Sequence, residues 1–312
     1  MFVTRRLPGR ALERLAAEHD TEVWPDPMPP PGEELAAQAA RSAGLLTLLS
    51  EAVSAELIAG APGLRAISNY AVGVDNVDLD AATARGIPVG HTPDVLTEST
   101  ADLAVALMLG VARRLLEGDA FVRHGEWATW DPGLLLGRDL HGATVGIVGM
   151  GRIGGAVAHR VRGFGARVIS SGRGGGAAFD ELLQQSDFVT LHCPLTPETR
   201  GLIDARALGL MKETAYLVNT ARGPIVDTGA LVAALGSGSI AGAALDVTDP
   251  EPLTGDHPLL AAPNLLVLPH LGSATHATRE RMADIAVDNL IAALAGGRMP
   301  HCANPEVYGD AA

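Results

Sequence analysis

Short apolar runs separated by polar turns alternate along this chain with stretches of helical period. In the first 95 residues, Leu12–Glu18 reads as helical, and the turn-rich WPDPMPPPGEE after it ends in a helix start. GLLTLLS, LRAISNYAV and IPVGHT then read as three buried strands. Pro93 and Asp94 mark a break. TESTADLAVALMLGVARRLL predicts a long amphipathic helix, with Thr97 and Ser99 or Thr100 as caps. From Gly118 to Leu140 the pattern dissolves into an irregular arm carrying Trp127, Trp130 and Pro132. TVGIV opens a strand–turn–helix unit, and ARVISSG, SDFVTLHCP, AYLVNTA, AGAALDV and NLLVLPH read as further strands alternating with helices. A last helical pattern runs from Thr275 to about Ala295. Strands alternating with helices predict an α/β fold whose parallel sheet is covered on both faces.

Composition changes this picture in three ways. A length of 312 residues suits two domains, and 47% hydrophobic with only 4% aromatic residues predicts a core of Ala, Leu, Val and Ile. The formal net charge of −13 argues against nucleic acid or an anionic membrane as partner. An anionic ligand would therefore need a locally basic site. MFVTRRLPGR carries no apolar run of a secretory signal, and the longest apolar stretch, Leu103 to Ala112, falls short of the roughly 20 residues that span a bilayer. Two cysteines, Cys193 and Cys302, are too few for a disulfide framework or a metal cluster. The expectation is a cytoplasmic protein with no metal site.

The strand TVGIV runs into Gly149-Met150-Gly151-Arg152-Ile153-Gly154 and then a helix. In a dinucleotide turn the first glycine permits the tight bend, the second lets the pyrophosphate approach the backbone, and the third allows close helix–strand packing. The helix N-terminus adds N–H donors and partial positive charge. An acid roughly 20 residues on would select NAD through its ribose 2′-hydroxyl. Here the next strand closes on Ser170, Ser171, Gly172 and Arg173, with no acid before Asp180. A hydroxyl and a guanidinium suit a 2′-phosphate, so NADPH is expected ahead of NADH.

Three polar residues each follow an apolar strand: Arg222 in YLVNTARG, Glu251 in DVTDPEP and His270 in LVLPHLGSAT. Loops after the carboxyl ends of parallel strands gather at one crevice, so residues far apart in sequence can converge there. Hydride transfer to a keto carbon creates an alkoxide that needs a proton, and histidine is suited to give it. A carboxylate beside it fixes the ring and favours its protonated form, a role open to Glu251. Arg222 would hold a substrate carboxylate in a fork and polarise the carbonyl.

These residues, with LLQQSDFVTLHCPLTPETRGLID, MKETAYLVNTARGPIVD, ALDVTDPEPL and LPHLGSATHATR, resemble the D-isomer-specific 2-hydroxyacid dehydrogenase family over nearly the whole chain. The resemblance implies two Rossmann-like domains. A doubly wound nucleotide domain, about 98–281, would be inserted into a flavodoxin-like substrate domain of 1–97 plus 282–312, with the active site in the cleft between them. It also implies that Arg222 binds substrate and that Glu251 and His270 form the acid–base pair. NYAVGVDNVD is similar to the loop whose amides hold the carboxylate, here Val72 and Gly73, with Leu49 and Ser50 shaping the side-chain pocket and Ser273 a further substrate contact. Pro194, Thr199, Thr220, Asp246 and Gly272 fall where the family contacts cofactor.

Within the family, the arm GEWATWDPGLLLGRDLHG and the ALDVTDPEPL and HLGSATH phrases look most like glyoxylate/hydroxypyruvate reductases. The segment 117–140 would then be a homodimer arm, with Trp130 reaching the partner's cleft. One departure stands out: between Arg173 and Asp180 only the Gly/Ala-rich GGGAAF remains, which would open the adenosine side. The rival readings are a sibling dehydrogenase of the phosphoglycerate or D-lactate type and a nucleotide-sensing co-repressor.

Overall fold

The computed structural model describes residues 1–309, which divide into two compact units, Met1–Leu96 with the chain from Ala274 on, and Thr97–Ser273. The chain re-enters the first unit earlier than residue 282, because Thr275 caps the last helix and that whole helix packs there. The Thr275 hydroxyl accepts from the Thr278 amide at 3.1 Å.

The first unit runs β1 (Phe2–Val3), α1 (Ala11–Glu18), β2 (Glu22–Val23), α2 (Gly32–Ala40), β3 (Gly44–Thr47), α3 (Ala55–Ala59), β4 (Ala66–Asn69), α4 (Leu79–Ala84) and β5 (Val89–Gly90). Its parallel sheet has the order β2-β1-β3-β4-β5, the flavodoxin-like order. All four residues of β3 and of β4 are buried, as strands covered on both faces require. The last helix, α11 (His276–Leu294), packs on β3, β4, β5 and α1. Asn289 within it is fully buried because its amide is used at both ends: Nδ2 donates to the His91 carbonyl at 3.0 Å and Oδ1 accepts from His301 N at 2.9 Å. The tail then covers the β5 edge through an antiparallel bridge of Gly90 with Cys302.

The second unit contains α5 (Thr97–Ala112), α6 (Leu115–Arg123), β6 (Thr144–Val148), α7 (Arg152–Gly163), β7 (Arg167–Ser171), α8 (Phe179–Gln185), β8 (Phe188–Leu191), α9 (Ala205–Leu210), β9 (Tyr216–Asn219), α10 (Thr228–Ser237), β10 (Gly242–Leu245) and β11 (Leu265–Val267). The sheet is parallel throughout in the order β11-β10-β9-β8-β6-β7. The winding reverses at β6, so the crevice for a ligand opens at its carboxyl end.

Two expectations need correcting here. The segment 97–112 is buried on nearly every side rather than amphipathic, because it lies between α7 and the strands β9, β10 and β11. Its Thr100 is no cap, since the buried hydroxyl donates to the Gly272 carbonyl at 3.1 Å. The arm is not irregular from Gly118: α6 runs through it to Arg123 after a break at Arg114, whose φ is +52°. No residue of α6 is buried, which is why the apolar pattern failed to signal it. Among the described residues, no helix is long and apolar enough to cross a membrane, and no group of His, Cys, Asp or Glu is placed to hold a metal ion.

Candidate active site

Arg222, Glu251 and His270 follow the three neighbouring strands β9, β10 and β11. Those strands run in register, Asn219 beside Leu245 and Leu245 beside Val267. Backbone pairing continues past their ends: Asp246 N donates to the Asn219 carbonyl at 2.9 Å, and His270 N to the Asp246 carbonyl at 2.9 Å. The three side chains therefore lie in, or just after, loops that leave one continuous ladder.

Each position is locally enforced. The buried Asn219 amide donates to the Arg222 carbonyl at 2.9 Å and accepts from Ala221 N at 3.0 Å, which turns the chain after β9. Arg222 Nη1 donates to the Ala221 carbonyl at 2.9 Å. The next residue must be glycine, since a Cβ at Gly223 would lie 1.9 Å from the Thr248 carbonyl oxygen. Glu251 stands between two cis X-Pro bonds, Asp249–Pro250 and Glu251–Pro252. Its Oε2 accepts from Thr248 N at 3.3 Å, and its Oε1 lies 2.6 Å from His270 Nδ1. The two side chains are 33% and 24% exposed, open enough for a substrate to reach.

His270 has a φ of +56°, unusual for a residue with a Cβ. Asp246, 1% exposed, holds the backbone there. Its Oδ1 accepts from Leu271 N at 2.6 Å and its Oδ2 from Gly272 N at 2.8 Å. Both oxygens of this expected cofactor contact are thus engaged by the histidine loop. Ser273, at 8% exposure, follows directly.

The turn after β6 fits a dinucleotide. Gly149 has φ +95°, and a Cβ there would lie 2.7 Å from Cys193 N. A Cβ on Gly151 would meet nothing within 4 Å, leaving room for a pyrophosphate, whereas one on Gly154 would strike the Gly149 carbonyl oxygen at 2.1 Å. Gly151 is the N-cap of α7, so Arg152 and Ile153 open its first turn. Ser171 and Gly172 lie beside this turn, with the Ser171 carbonyl accepting from Gly149 N at 2.9 Å. Arg173 follows, exposed, where β7 ends the sheet. The short segment after it folds back rather than adding a strand: Ala177 N donates to the Ser170 carbonyl at 2.8 Å. Pro194 and Thr199 sit in the loop after β8, which Thr199 braces by donating from its hydroxyl to the Pro194 carbonyl at 2.7 Å.

One residue in this region escaped the sequence reading. His192 follows β8, with Thr190 Oγ1 2.9 Å from its Nε2 and Thr220 Oγ1 3.4 Å from its Nδ1. Burial pushes its imidazole down to about 4, so it stays neutral beneath the nucleotide turn. Nothing in LHCPLT separates this histidine from a surface one.

In the first unit, Leu49 and Ser50 lie exposed after β3, and Val72 and Gly73 half-buried after β4. These strands are neighbours, so the four residues occupy adjacent loops at the carboxyl edge of that sheet.

Taken with this fold, the chain belongs to the D-isomer-specific 2-hydroxyacid dehydrogenases: residues 105–272 match the model of that family's NAD-binding domain. It is an oxidoreductase acting on the CH–OH group of 2-hydroxy acids, with a nicotinamide cofactor. It is 48% identical to a glyoxylate reductase of Aeropyrum pernix, over 98% of this chain and 96% of the relative. A crystal structure of a Thermus thermophilus protein superimposes with a TM-score of 0.91 at 50% identity, covering 97% of this chain and 99% of the other. An NADPH-dependent glyoxylate/hydroxypyruvate reductase from Sinorhizobium meliloti, solved with NADP and malonate, gives a TM-score of 0.85 at 34% identity, covering 96% and 95%.

Proposed function

We propose that this enzyme reduces a small 2-keto acid, glyoxylate or hydroxypyruvate, to the D-2-hydroxy acid, with NADPH as its preferred cofactor and NADH as the second. The observation that carries the reading is the 2.6 Å pair of His270 Nδ1 with Glu251 Oε1, in loops that follow neighbouring strands of the sheet whose β9 precedes Arg222. Relatives named glyoxylate reductase support the substrate class.

A bound nicotinamide cofactor supplies the hydride; the protein's own groups bind, orient and handle the proton. Gly149, Gly151, Arg152, Ile153 and Gly154 would cradle the pyrophosphate, and Ser171, Gly172 and Arg173 the 2′-phosphate. Pro194, Thr199, Thr220 and Gly272 would line the remainder. Because the Glu251 carboxylate can only accept, His270 Nδ1 carries a proton, and Nε2 becomes the nitrogen that exchanges a proton with the substrate oxygen. In reduction, His270 donates from Nε2 as the alkoxide charge develops; in oxidation the neutral ring takes the proton back. Arg222 draws charge from the carbonyl and steadies the carboxylate. The Val72 and Gly73 amides take the carboxylate, Leu49 and Ser50 border the side chain, and Ser273 supports the substrate beside His270. Asp246 acts through the loop it holds.

The exposed arm is read as a dimer surface, since the large apolar side chains of Leu116, Trp127, Trp130 and Leu136 are 59%, 59%, 77% and 70% exposed. A monomer in sedimentation equilibrium at micromolar concentration would remove that part of the reading.

NADPH and NADH oxidation against glyoxylate, hydroxypyruvate, pyruvate and bulkier 2-keto acids tests the proposal. Turnover of the two small acids with NADPH ahead of NADH is expected, with Arg173→Ala weakening NADPH alone. No reduction of any acid with either cofactor overturns it.

A further inference from the structure

Ser50 lies in the exposed turn after β3 and is followed by a buried acid. The Glu51 side chain is 1% exposed, and four donors converge on its carboxylate. Oε2 accepts from the Thr4 hydroxyl at 2.6 Å and from Leu48 N at 2.7 Å; Oε1 accepts from the Ser50 hydroxyl at 2.6 Å and Arg5 Nη1 at 3.4 Å. A buried carboxylate so surrounded is an acceptor with no donor of its own. The single Ser50 proton is therefore committed to Glu51, and the oxygen it leaves toward solvent presents lone pairs only.

A second, part-buried network ties the turn that carries Ser50 to the expected carboxylate loop. Asn76 Nδ2 donates to the Leu48 carbonyl at 2.9 Å and to the Glu51 carbonyl at 2.8 Å, tying the turn after β3 to the loop after β4. Asn69 donates to the Gly73 carbonyl at 2.9 Å, and its Oδ1 accepts from the Thr47 hydroxyl at 3.2 Å. Both loops sit at the carboxyl edge of a parallel sheet, where ligands bind, and their separation is set by these amides rather than by a mobile chain.

We infer that Ser50 is a specificity-determining residue that accepts a hydrogen bond from a hydroxyl on C3 of the substrate, with Glu51 as the positioning residue that orients it. The inference rests on the keto-acid reading above and deepens it. A 3-hydroxy-2-keto acid can donate to Ser50. Glyoxylate has no C3 and pyruvate ends there in a methyl group, so both leave that acceptor to water.

The test is kcat/KM with saturating NADPH for hydroxypyruvate, glyoxylate and pyruvate in wild type, Ser50→Ala and Ser50→Thr. Ser50 is exposed, so neither variant removes packing. Ser50→Ala should lower kcat/KM for hydroxypyruvate by roughly 3- to 10-fold, mainly through KM, the loss of one neutral hydrogen bond. Glyoxylate and pyruvate should lose less than hydroxypyruvate does, and Ser50→Thr should restore the hydroxypyruvate value. An equal change for all three acids, or none for any, overturns the inference while leaving the reductase reading intact. A wild type that reduces none of the three overturns both.

Discussion

A histidine at φ +56° holds that conformation only because its surroundings impose it. At His270 the restraint is a carboxylate on each side: Asp246 grips the two following amides and Glu251 the ring. His192 illustrates the opposite use of an imidazole. Burial depresses it to about 4 in the folded state, against about 6.5 when exposed. The unfolded chain then binds the extra proton first as pH falls. The stability that His192 contributes is complete above pH ~6.5 and is lost progressively down to pH ~4. Replacing it by Gln should flatten this component. Thermal midpoints measured from pH 7 to 4.5 should fall less steeply in His192→Gln than in wild type, and parallel curves would contradict the assignment.

At the scale of elements, the proposed mechanism puts the chemistry at the β9–β10–β11 edge, where Asp246 joins its strand to the loop that carries His270. Asp246→Asn keeps one acceptor but turns an amide donor toward a backbone N–H, and it also removes the charge from one buried and one part-buried hydrogen bond. A loss on the order of 1.5–3 kcal/mol is expected, together with a fall in kcat as His270 loses its bearing on the substrate. Denaturant unfolding and steady-state kinetics on this variant check both. Unchanged stability and turnover would mean that the loop is held by other contacts.

The same elements show what the sequence made legible. Arg222, Glu251 and His270 are candidates because each follows an apolar strand, and the six strands of the second sheet are legible because each carries its own apolar pattern. The two-residue strands β1 and β2, and α6 with no buried residue, carry no such pattern. Glu51, Asn69, Asn76 and His192 acquire their meaning from partners brought together only by folding.

For the whole molecule, a net charge of −13 has to coexist with two anionic ligands. Arg152, Arg173, Arg222 and His270 all follow strand carboxyl ends of the second sheet, where Asp246 is already engaged by backbone amides and Glu251 by His270. The acidic chain thus keeps that edge receptive to phosphate and carboxylate. The central claim is that His270 moves the proton there. The direct measurement is kcat for glyoxylate or hydroxypyruvate in His270→Ala, alongside NADPH affinity by fluorescence titration. The account predicts that kcat falls by about 10²- to 10⁴-fold with cofactor affinity retained. Turnover equal to wild type in a variant that binds NADPH normally would contradict it.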